Sequence, residues 1–573
     1  MRQLLADTIS GTMVGLWLLI PAHSISKFFV LDIFFRRVVA VSTDPAPDNA
    51  FASSFFARPS SQLPFSHYTM PCVSYQAKIV PNALWSCGRL DSLETSMILG
   101  KPAPFVRAFV DVVDEAIRAH HPRHGLSAMQ RTWLAFCVTA VLVTNSICWA
   151  RFERASLGTY TLAALSWMFR HSKIPWELLL VASVRVILRQ YGITSGSLVL
   201  DDTDNQRSKS AKTLAYLYKL RDKKSGGYVW GQSLVFLVLV TPKISIPVGF
   251  VFYQPAPELS AWYKKDKALK KQGVPPKQRP PKPAPHPQYP TKQQLALRLL
   301  EAFKAHHPDI RIHCITADAL YGTAPFVDGA SAIFGGVQVL SQIRSNQNLR
   351  VGQREQHVAD YFAAHPGTPH TIRIRGGDEV VVWVSSARLY VCSHNTKRFI
   401  VAIKYAEEET YRYLIASDLS WRTLDIVQGH TLRWLVEVFI QDWKSYEGWS
   451  PLTKQPGEEG ARHSVILSLL VDHALFLHPD QHAQLKNNLP AYTVGSLRAH
   501  VQVECLVEVI ETLVSADDPQ EKLQRFTRAL HEVFAFGRST KHMIQRQLGR
   551  LESTPSLKYR AEEVMRNMPA MST

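Results

Sequence analysis

Across residues 104–191, apolar residues recur at helical spacing, as in Phe105-Val106-Arg107-Ala108-Phe109-Val110-Asp111-Val112-Val113 and Leu178-Leu179-Leu180-Val181-Ala182-Ser183-Val184. Pro175 suits the first turn of the last such segment. The pattern predicts an all-helical region over residues 96–195. The period then changes. Residues 198–203, 233–240 and 244–253 are of strand length and rich in β-branched and aromatic side chains, which predicts three consecutive strands. Further on, 293–307 reads as an amphipathic helix, 310–316 as a buried strand, 323–334 as a helix and 337–344 as a strand. Residues 370–425 are again β-rich, as in Glu379-Val380-Val381-Val382-Trp383-Val384 and Phe399-Ile400-Val401-Ala402-Ile403. A strong helix over 430–446 follows, and a helical region over 481–573 closes the chain.

Two segments break this rhythm. Residues 1–95 are rich in Ser, Pro and Phe without sustained periodicity, which predicts a poorly ordered or mis-started segment, with Met70 as an alternative start. Residues 264–292 carry nine Lys or Arg, and eight prolines fall between 275 and 290. Proline removes backbone donors, so this stretch is expected to be an extended basic loop within 255–292, solvated or in contact with nucleic acid.

Composition narrows the class. With 573 residues and 46% hydrophobic content the chain has material for several cores, which excludes disorder as the main state. A formal net charge of +18 sets up a positive field that favours polyanions, nucleic acid or an anionic membrane surface. Seven scattered cysteines, none spaced C-x-x-C, suggest neither a disulfide framework nor a zinc knuckle and fit a reducing cytosol. The apolar stretch 13–22 resembles a secretory signal, but the following basic residues and the cysteine usage do not fit export. Residues 133–150 form an 18-residue apolar run, yet Thr139, Thr144, Asn145 and Ser146 within it favour a buried helix over a membrane span.

The element order, three strands, helix, strand, helix, strand, then β-rich segment and helix, is that of an α/β ribonuclease-H-like catalytic core with a β-rich insertion at 370–425, flanked by helical regions. Ligands of such sheets gather at the carboxyl ends of strands. Asp202 ends the first strand, and Asp318 follows the strand that ends near Thr316. Taken singly, each reads as a turn or capping residue. Glu437 keeps more telling company. On a continuous helix with His430 at zero, Arg433 falls at about −60°, Glu437 at about −20° and Lys444 at about −40°, a single polar stripe with Trp434 beside it.

His430-x2-Arg433-x3-Glu437-x6-Lys444 resembles the Tyr-x2-Arg-x3-Glu-x6-Lys signature of DDE transposases in the insertion sequence four superfamily, with His in the first position. Asp202-Thr203 and Asp318-x2-Tyr321-Gly322 are similar to the first two catalytic motifs, and Thr291-Lys292 and Ile343-Arg344-Ser345 add weaker similarity. The resemblance covers about 104–475 in organisation and is most specific in the helix motif. It implies Asp202, Asp318 and Glu437 as catalytic and metal-binding residues, two Mg2+ ions replaceable by Mn2+, and His430, Arg433, Trp434, Lys444 and Arg344 as DNA contacts. Strand alternation sends Asp201 and Asp202 to opposite faces, so only one enters the cleft with ease. The resemblance selects Asp202 and leaves Asp201 a supporting or capping role.

The implied activity is cleavage and strand transfer of double-stranded DNA by cut and paste, at terminal inverted repeats and a target, by a homodimer in the synaptic complex. Cytoplasmic, nucleoid-associated residence follows, with no membrane. A helix-turn-helix around 159–189 is the expected end-reader, and Trp383 and Trp421 are candidate base-stacking residues, with core packing the plainer reading. The alternatives are a ribonuclease-H-like nuclease, a domesticated DNA-binding regulator, or a membrane-associated protein.

Overall fold

The computed structural model describes residues 101–533 apart from 208–212, 223–225, 285, 375–376 and 450–454, together with 562, 563 and 566. They belong to one compact unit, Arg89–Thr573, whereas the expectations for 1–95 and for most positions beyond 533 lie outside the described residues.

Helices α1 (Pro104–His120), α2 (Ala128–Thr144), α3 (Trp149–Ala155), α4 (Leu162–His171) and α5 (Trp176–Gln190) come first. Strands β1 (Ser195–Gln206), β2 (Tyr218–Arg221), β3 (Tyr228–Val240) and β4 (Ser245–Tyr253) follow, then α6 (Pro257–Lys271), α7 (Lys292–His306), β5 (Arg311–Ala317), α8 (Ala324–Ile333) and β6 (Gln338–Ile343). Next are β7 (Asn348–Val351), β8 (Arg354–His357), α9 (Val358–Ala364), β9 (Thr368–Arg373), β10 (Glu379–Val391), β11 (Thr396–Tyr405) and β12 (Arg412–Ala416). Helices α10 (Thr423–Thr431), α11 (Trp434–Tyr446), α12 (Gly457–Phe476), α13 (Pro479–Lys486), α14 (Val494–Val514) and α15 (Pro519–Val533) complete the described chain.

All twelve strands join one mostly antiparallel sheet with the path β2-β3-β1-β5-β6-β12-β11-β10-β7-β8, while β4 pairs with β3 and β9 with β10. At its centre β1 runs antiparallel to β3 and parallel to β5, and β5 runs parallel to β6. The β-rich stretch begins earlier than its sequence pattern suggests, at β7, and continues the same sheet through the β6–β12 pairing.

Alternation along β1 feeds two cores. Val199 faces a cluster with Phe236 and Val238 of β3 and apolar residues of α1, α2, α5, α11, α12 and α14. Leu198 and Leu200 face Ala296, Leu300 and Phe303 of α7 and Phe326 and Val327 of α8. The central strands are therefore covered on both faces, which is why their sequences are nearly continuously apolar.

Three expectations change. The apolar run 133–150 is not one helix: Ser127 and Gln130 cap the start of α2, Asn145 ends it in the left-handed region at φ 49°, and α3 leaves at 90°. Residues 133–142 are buried, and no single helix among the described residues is long and apolar enough to cross a membrane. Second, the basic stretch expected to be extended starts as the helix α6, because its prolines begin only at Pro275. The irregular chain after α6 folds back on it: Trp262 Nε1 donates to the Pro280 carbonyl (2.8 Å), and buried Asp266 pairs with Lys270 (3.0 Å) and Arg279 (2.9 Å). Third, α5, the second helix of the expected helix-turn-helix, has Leu179, Ala182, Ser183, Val184, Val186 and Ile187 buried and is bonded through Ser183 Oγ to His473 Nδ1 (2.7 Å). A recognition helix needs an open face to enter a groove, and this one lies in the core.

Candidate active site

The helix expected over 430–446 is interrupted. Leu432 N and Arg433 N donate to carbonyls three residues back, at Gly429 and His430, and Thr431 Oγ1 turns onto the Gln428 carbonyl (2.6 Å). β-Branched Thr with its hydroxyl on the backbone is a poor continuation of a helix. His430 therefore lies in the last turn of α10, Arg433 precedes α11, and the four-residue stripe does not lie on one continuous helix. Glu437 and Lys444 do share a face of α11, being two turns apart. The opposite side of α11 is anchored in the core, with Phe439 and Trp443 against Phe236 (ring centres 5.4 and 4.8 Å) and Trp443 stacked on Trp449 (4.5 Å). Aromatic pairs of this kind contribute about 0.5–1.5 kcal/mol each beyond area burial, enough to fix the helix that carries the polar face.

Asp201 and Asp202 stand at the carboxyl-end half of β1, on opposite faces of the strand. Asp201 shares the face of Val199, toward α11. Its Oδ2 accepts from Arg433 Nη1 (3.2 Å), and the same nitrogen lies 2.7 Å from Glu437 Oε1. One guanidinium thus joins a strand-borne aspartate to the helix-borne glutamate. Asp202, on the other face, pairs with Lys292 Nζ at the first turn of α7. Thr291 and Gln294 form a capping box that sets this turn, and the ammonium also sits 5.3 Å from the Tyr253 ring centre. A cation at a helix N-terminus opposes the helix dipole, so the Asp202 partner offsets an otherwise unfavourable placement.

Asp318 follows β5, immediately beside β1 in the sheet. It opens a short 3-10 turn, yet its side chain makes no capping hydrogen bond, and among the described residues its carboxylate has no ion pair. Ser341 Oγ holds its backbone carbonyl (2.8 Å). The turn is forced close to β6: a Cβ on Gly322 would lie 2.0 Å from the Gln342 carbonyl oxygen, so only glycine fits. The turn also buries Tyr321 completely, with its hydroxyl lacking a partner.

Electrostatics show which acids are near one another. Burial pushes the Asp201 carboxyl up to about 7; the Asp202 amide and Arg433 oppose this, and the charges of Asp318 and Asp202 add to it. Burial likewise raises Tyr321, and the charges of Asp202, Asp201 and Asp318 each raise it further. Asp201, Asp202 and Asp318 are thus near enough for their charges to act on one another, from two faces of β1 and the end of β5, and Glu437 is tied to Asp201 through Arg433. An all-oxygen set of hard donors suits Mg2+ or Mn2+ rather than a softer ion.

The remaining predicted residues sit around these acids at differing depth. Lys444 is partly buried and donates to Thr203 Oγ1 (2.6 Å) and the Asp204 carbonyl (2.8 Å), pinning α11 to β1 just past the aspartates, and burial lowers its pKa. Trp434 is 56% exposed at the start of α11, and Arg344 is exposed just after β6. His430 faces Gln342 Nε2 (3.2 Å), and burial drives its pKa down to about 3, so its ring is neutral near pH 7. Trp421 packs against the core under β11 and β12, and Trp383 lies under Lys404 Nζ (5.9 Å). Sequence reasoning gave Asp201 only a supporting or capping role and noted Lys292 and Tyr321 only as parts of motifs, without a role of their own. The doubled aspartate, the Thr-Lys pair opening a helix and the Tyr-Gly after Asp318 were the available signals.

Residues 162–391 match the family model described as DDE superfamily endonuclease, a stretch that includes Asp201, Asp202 and Asp318 and stops short of Glu437. Endonucleases of that superfamily are generally dependent on a divalent metal. The mixed α/β architecture, a large mostly antiparallel sheet with flanking helices, is consistent with a ribonuclease-H-like DDE nuclease fold. No curated protein matches the chain. Among solved structures, similarity extends to a piggyBac transposase synaptic complex with hairpin DNA (10% identity, TM-score 0.35, 75% of this chain and 84% of that one). It extends also to Ciona intestinalis endonuclease V in complex with a 23mer DNA (12%, 0.19, 44% and 86%). A third is the NurA nuclease of Sulfolobus solfataricus (6%, 0.17, 41% and 72%).

Proposed function

We propose that the protein is a DDE transposase of the insertion sequence four type, which binds the inverted repeats of a mobile element and moves it by cleavage and strand transfer. The observation that supports this reading is that Asp201 and Asp202 of β1 and Asp318 after β5 lie near enough for their charges to interact, with Glu437 joined to Asp201 through Arg433. The family match to a DDE endonuclease supports the same chemistry. The central strand order β4-β3-β1-β5-β6 supports a ribonuclease-H-like core, with the strands from β7 to β12 as its β insertion and the flanking helices packed on its faces.

Asp202, Asp318 and Glu437 would hold the metal, with Asp201 a fourth carboxylate on the α11 face of β1, tied to Glu437 through Arg433. When bound, a pair of Mg2+ ions supplies an activated attacking oxygen and stabilises the leaving oxygen of an in-line displacement at phosphorus. The protein's own cations set the substrate in place. Arg433 has a planar fork suited to two phosphate oxygens and already occupies the space between Asp201 and Glu437. Lys292 stands on the other face of β1 as a point charge beside Asp202. Arg344 and Trp434, being exposed, extend the contact surface along the DNA, and Lys444, on the Glu437 face, pins α11 to β1. Two copies acting on paired ends, in the cytoplasm with the nucleoid, complete the reading.

The test is cleavage and joining of linear DNA that carries the element's ends, by the full chain with and without Mg2+. Asp202→Asn, Asp318→Asn and Glu437→Gln are expected to lower cleavage at least about a hundredfold, the scale of losing one preorganised electrostatic contact, with end binding retained. Undiminished cleavage by any of the three removes that residue from the mechanism. Cleavage without joined product, given precut ends, leaves a nuclease and overturns transposition.

A further inference from the structure

Far along the chain from the acidic cleft, the junction between α12 and α13 faces α14 through a compact set of metal-binding side chains. His478 lies in this junction, and His500 and Glu504 are one turn apart on the same face of α14. His500 Nε2 is 3.2 Å from Glu504 Oε1, and His478 Nε2 is 3.7 Å from Glu504 Oε2. Asp480 Oδ2 reaches His500 Nε2 at 3.5 Å. One ligand atom from each of His478, His500 and Glu504 lies within 4.8 Å of the others.

A second observation is independent of that clustering. His478 is 1% exposed, wedged edge-on against Phe105 of α1 (4.9 Å between ring centres), and neither of its ring nitrogens has a hydrogen-bond partner. A buried imidazole without a partner loses the full solvation of two polar atoms. Its Nε2 is directed toward Glu504, too far away for a hydrogen bond. Four ligands at about 2.0–2.2 Å from a tetrahedral ion are separated from one another by about 3.3–3.6 Å. His500 Nε2 has Glu504 Oε1 at 3.2 Å and Asp480 Oδ2 at 3.5 Å, close to those edges, and His478 Nε2 lies 3.7 Å from the other Glu504 oxygen.

We infer that His478, His500 and Glu504, with Asp480 or water as fourth ligand, form a structural zinc site. Two imidazole nitrogens and a carboxylate select a borderline ion such as Zn2+ or Co2+ over Mg2+, so this site is chemically distinct from the all-oxygen cleft. It ties the α12–α13 junction to α14 and, through the Phe105 contact, holds the C-terminal helices against α1. His500 and Glu504 are half exposed, which gives the ion a path in and makes both residues replaceable without opening the core.

The experiment is titration of metal-stripped full chain with Co2+ in excess Mg2+, reading the intense visible ligand-field band of tetrahedral cobalt. One Co2+ per chain is expected, displaced by Zn2+, with Zn2+ also raising the thermal midpoint. His500→Asn and Glu504→Gln are each expected to weaken binding by more than about a hundredfold, beyond what loss of an outer partner does, and to lose the Zn2+-dependent rise in midpoint. Asp318→Asn should bind Co2+ as the unaltered chain does. Absence of the tetrahedral band, an unchanged band in both His500→Asn and Glu504→Gln, or its loss in Asp318→Asn would overturn the assignment. None of these outcomes depends on DNA cleavage, so the inference fails or stands apart from the proposed activity.

Discussion

Glu447, one residue past α11, and Asp472 on α12 form a pair of carboxyls buried in the same core. The two carboxyls share a hydrogen bond, and among the described residues both Glu447 oxygens and Asp472 Oδ2 have no partner beyond this one. Burial pushes Asp472 up to about 7 and raises Glu447 well above the usual carboxylate range, with the charge of Asp472 raising Glu447 further. Both shifts mean that the folded protein keeps protons the unfolded chain gives up near pH 4. Stability is therefore fully present below the unfolded pKa values and is lost as pH rises toward 7, and Glu447 extends the loss above that. Over the pH range in which one such carboxyl is protonated in the fold and ionised in the unfolded chain, stability falls by up to about 1.4 kcal/mol per pH unit. Asp472→Asn keeps the shape and removes that titration. Urea unfolding at pH 5, 6 and 7 should then show the variant gaining on the parent by about 1.4 kcal/mol per pH unit. Parallel stability curves for parent and variant would refute the reasoning, because they would mean that Asp472 ionises alike in both states.

Other consequences are more local. Arg433→Lys keeps the charge but cannot span Asp201 and Glu437, so DNA cleavage should fall at least about tenfold while the denaturation midpoint moves little; equal cleavage would show that the bridge is dispensable. Gly322→Ala places a methyl 2.0 Å from the Gln342 carbonyl and should cost roughly 1–3 kcal/mol, read by urea denaturation, and an unchanged midpoint would contradict the packing of the Asp318 turn. His430→Asn should leave the salt dependence of DNA-end binding unchanged, because the ring is neutral, whereas Arg344→Ala should lower the salt slope by about one unit.

The sequence by itself determined the central strands and the helix that follows them, since period-two and continuous apolar runs at 198–203, 233–240 and 310–316 and the helical period at 293–307 need no partner to be recognised, whereas α6, β2, β7 and β8 were not legible. The resemblance of its motifs to a known family is what singled out Asp202, Asp318 and Glu437. Tertiary structure decided the rest. Which of two adjacent aspartates faces α11 depends on what covers each side of β1, and Arg433 lies on Asp201 there. The polar stripe from His430 to Lys444 assumed a continuous helix, and the break at Leu432–Arg433 is set by local hydrogen bonding that residue spacing does not encode. The same holds for α5, whose apolar pattern gives a helix but not its place in the core. His478, His500 and Glu504 span 27 positions of chain and meet only because α12 and α13 turn back against α14. Local pattern reports what a segment prefers, whereas a site is a convergence of distant segments, and only packing fixes that.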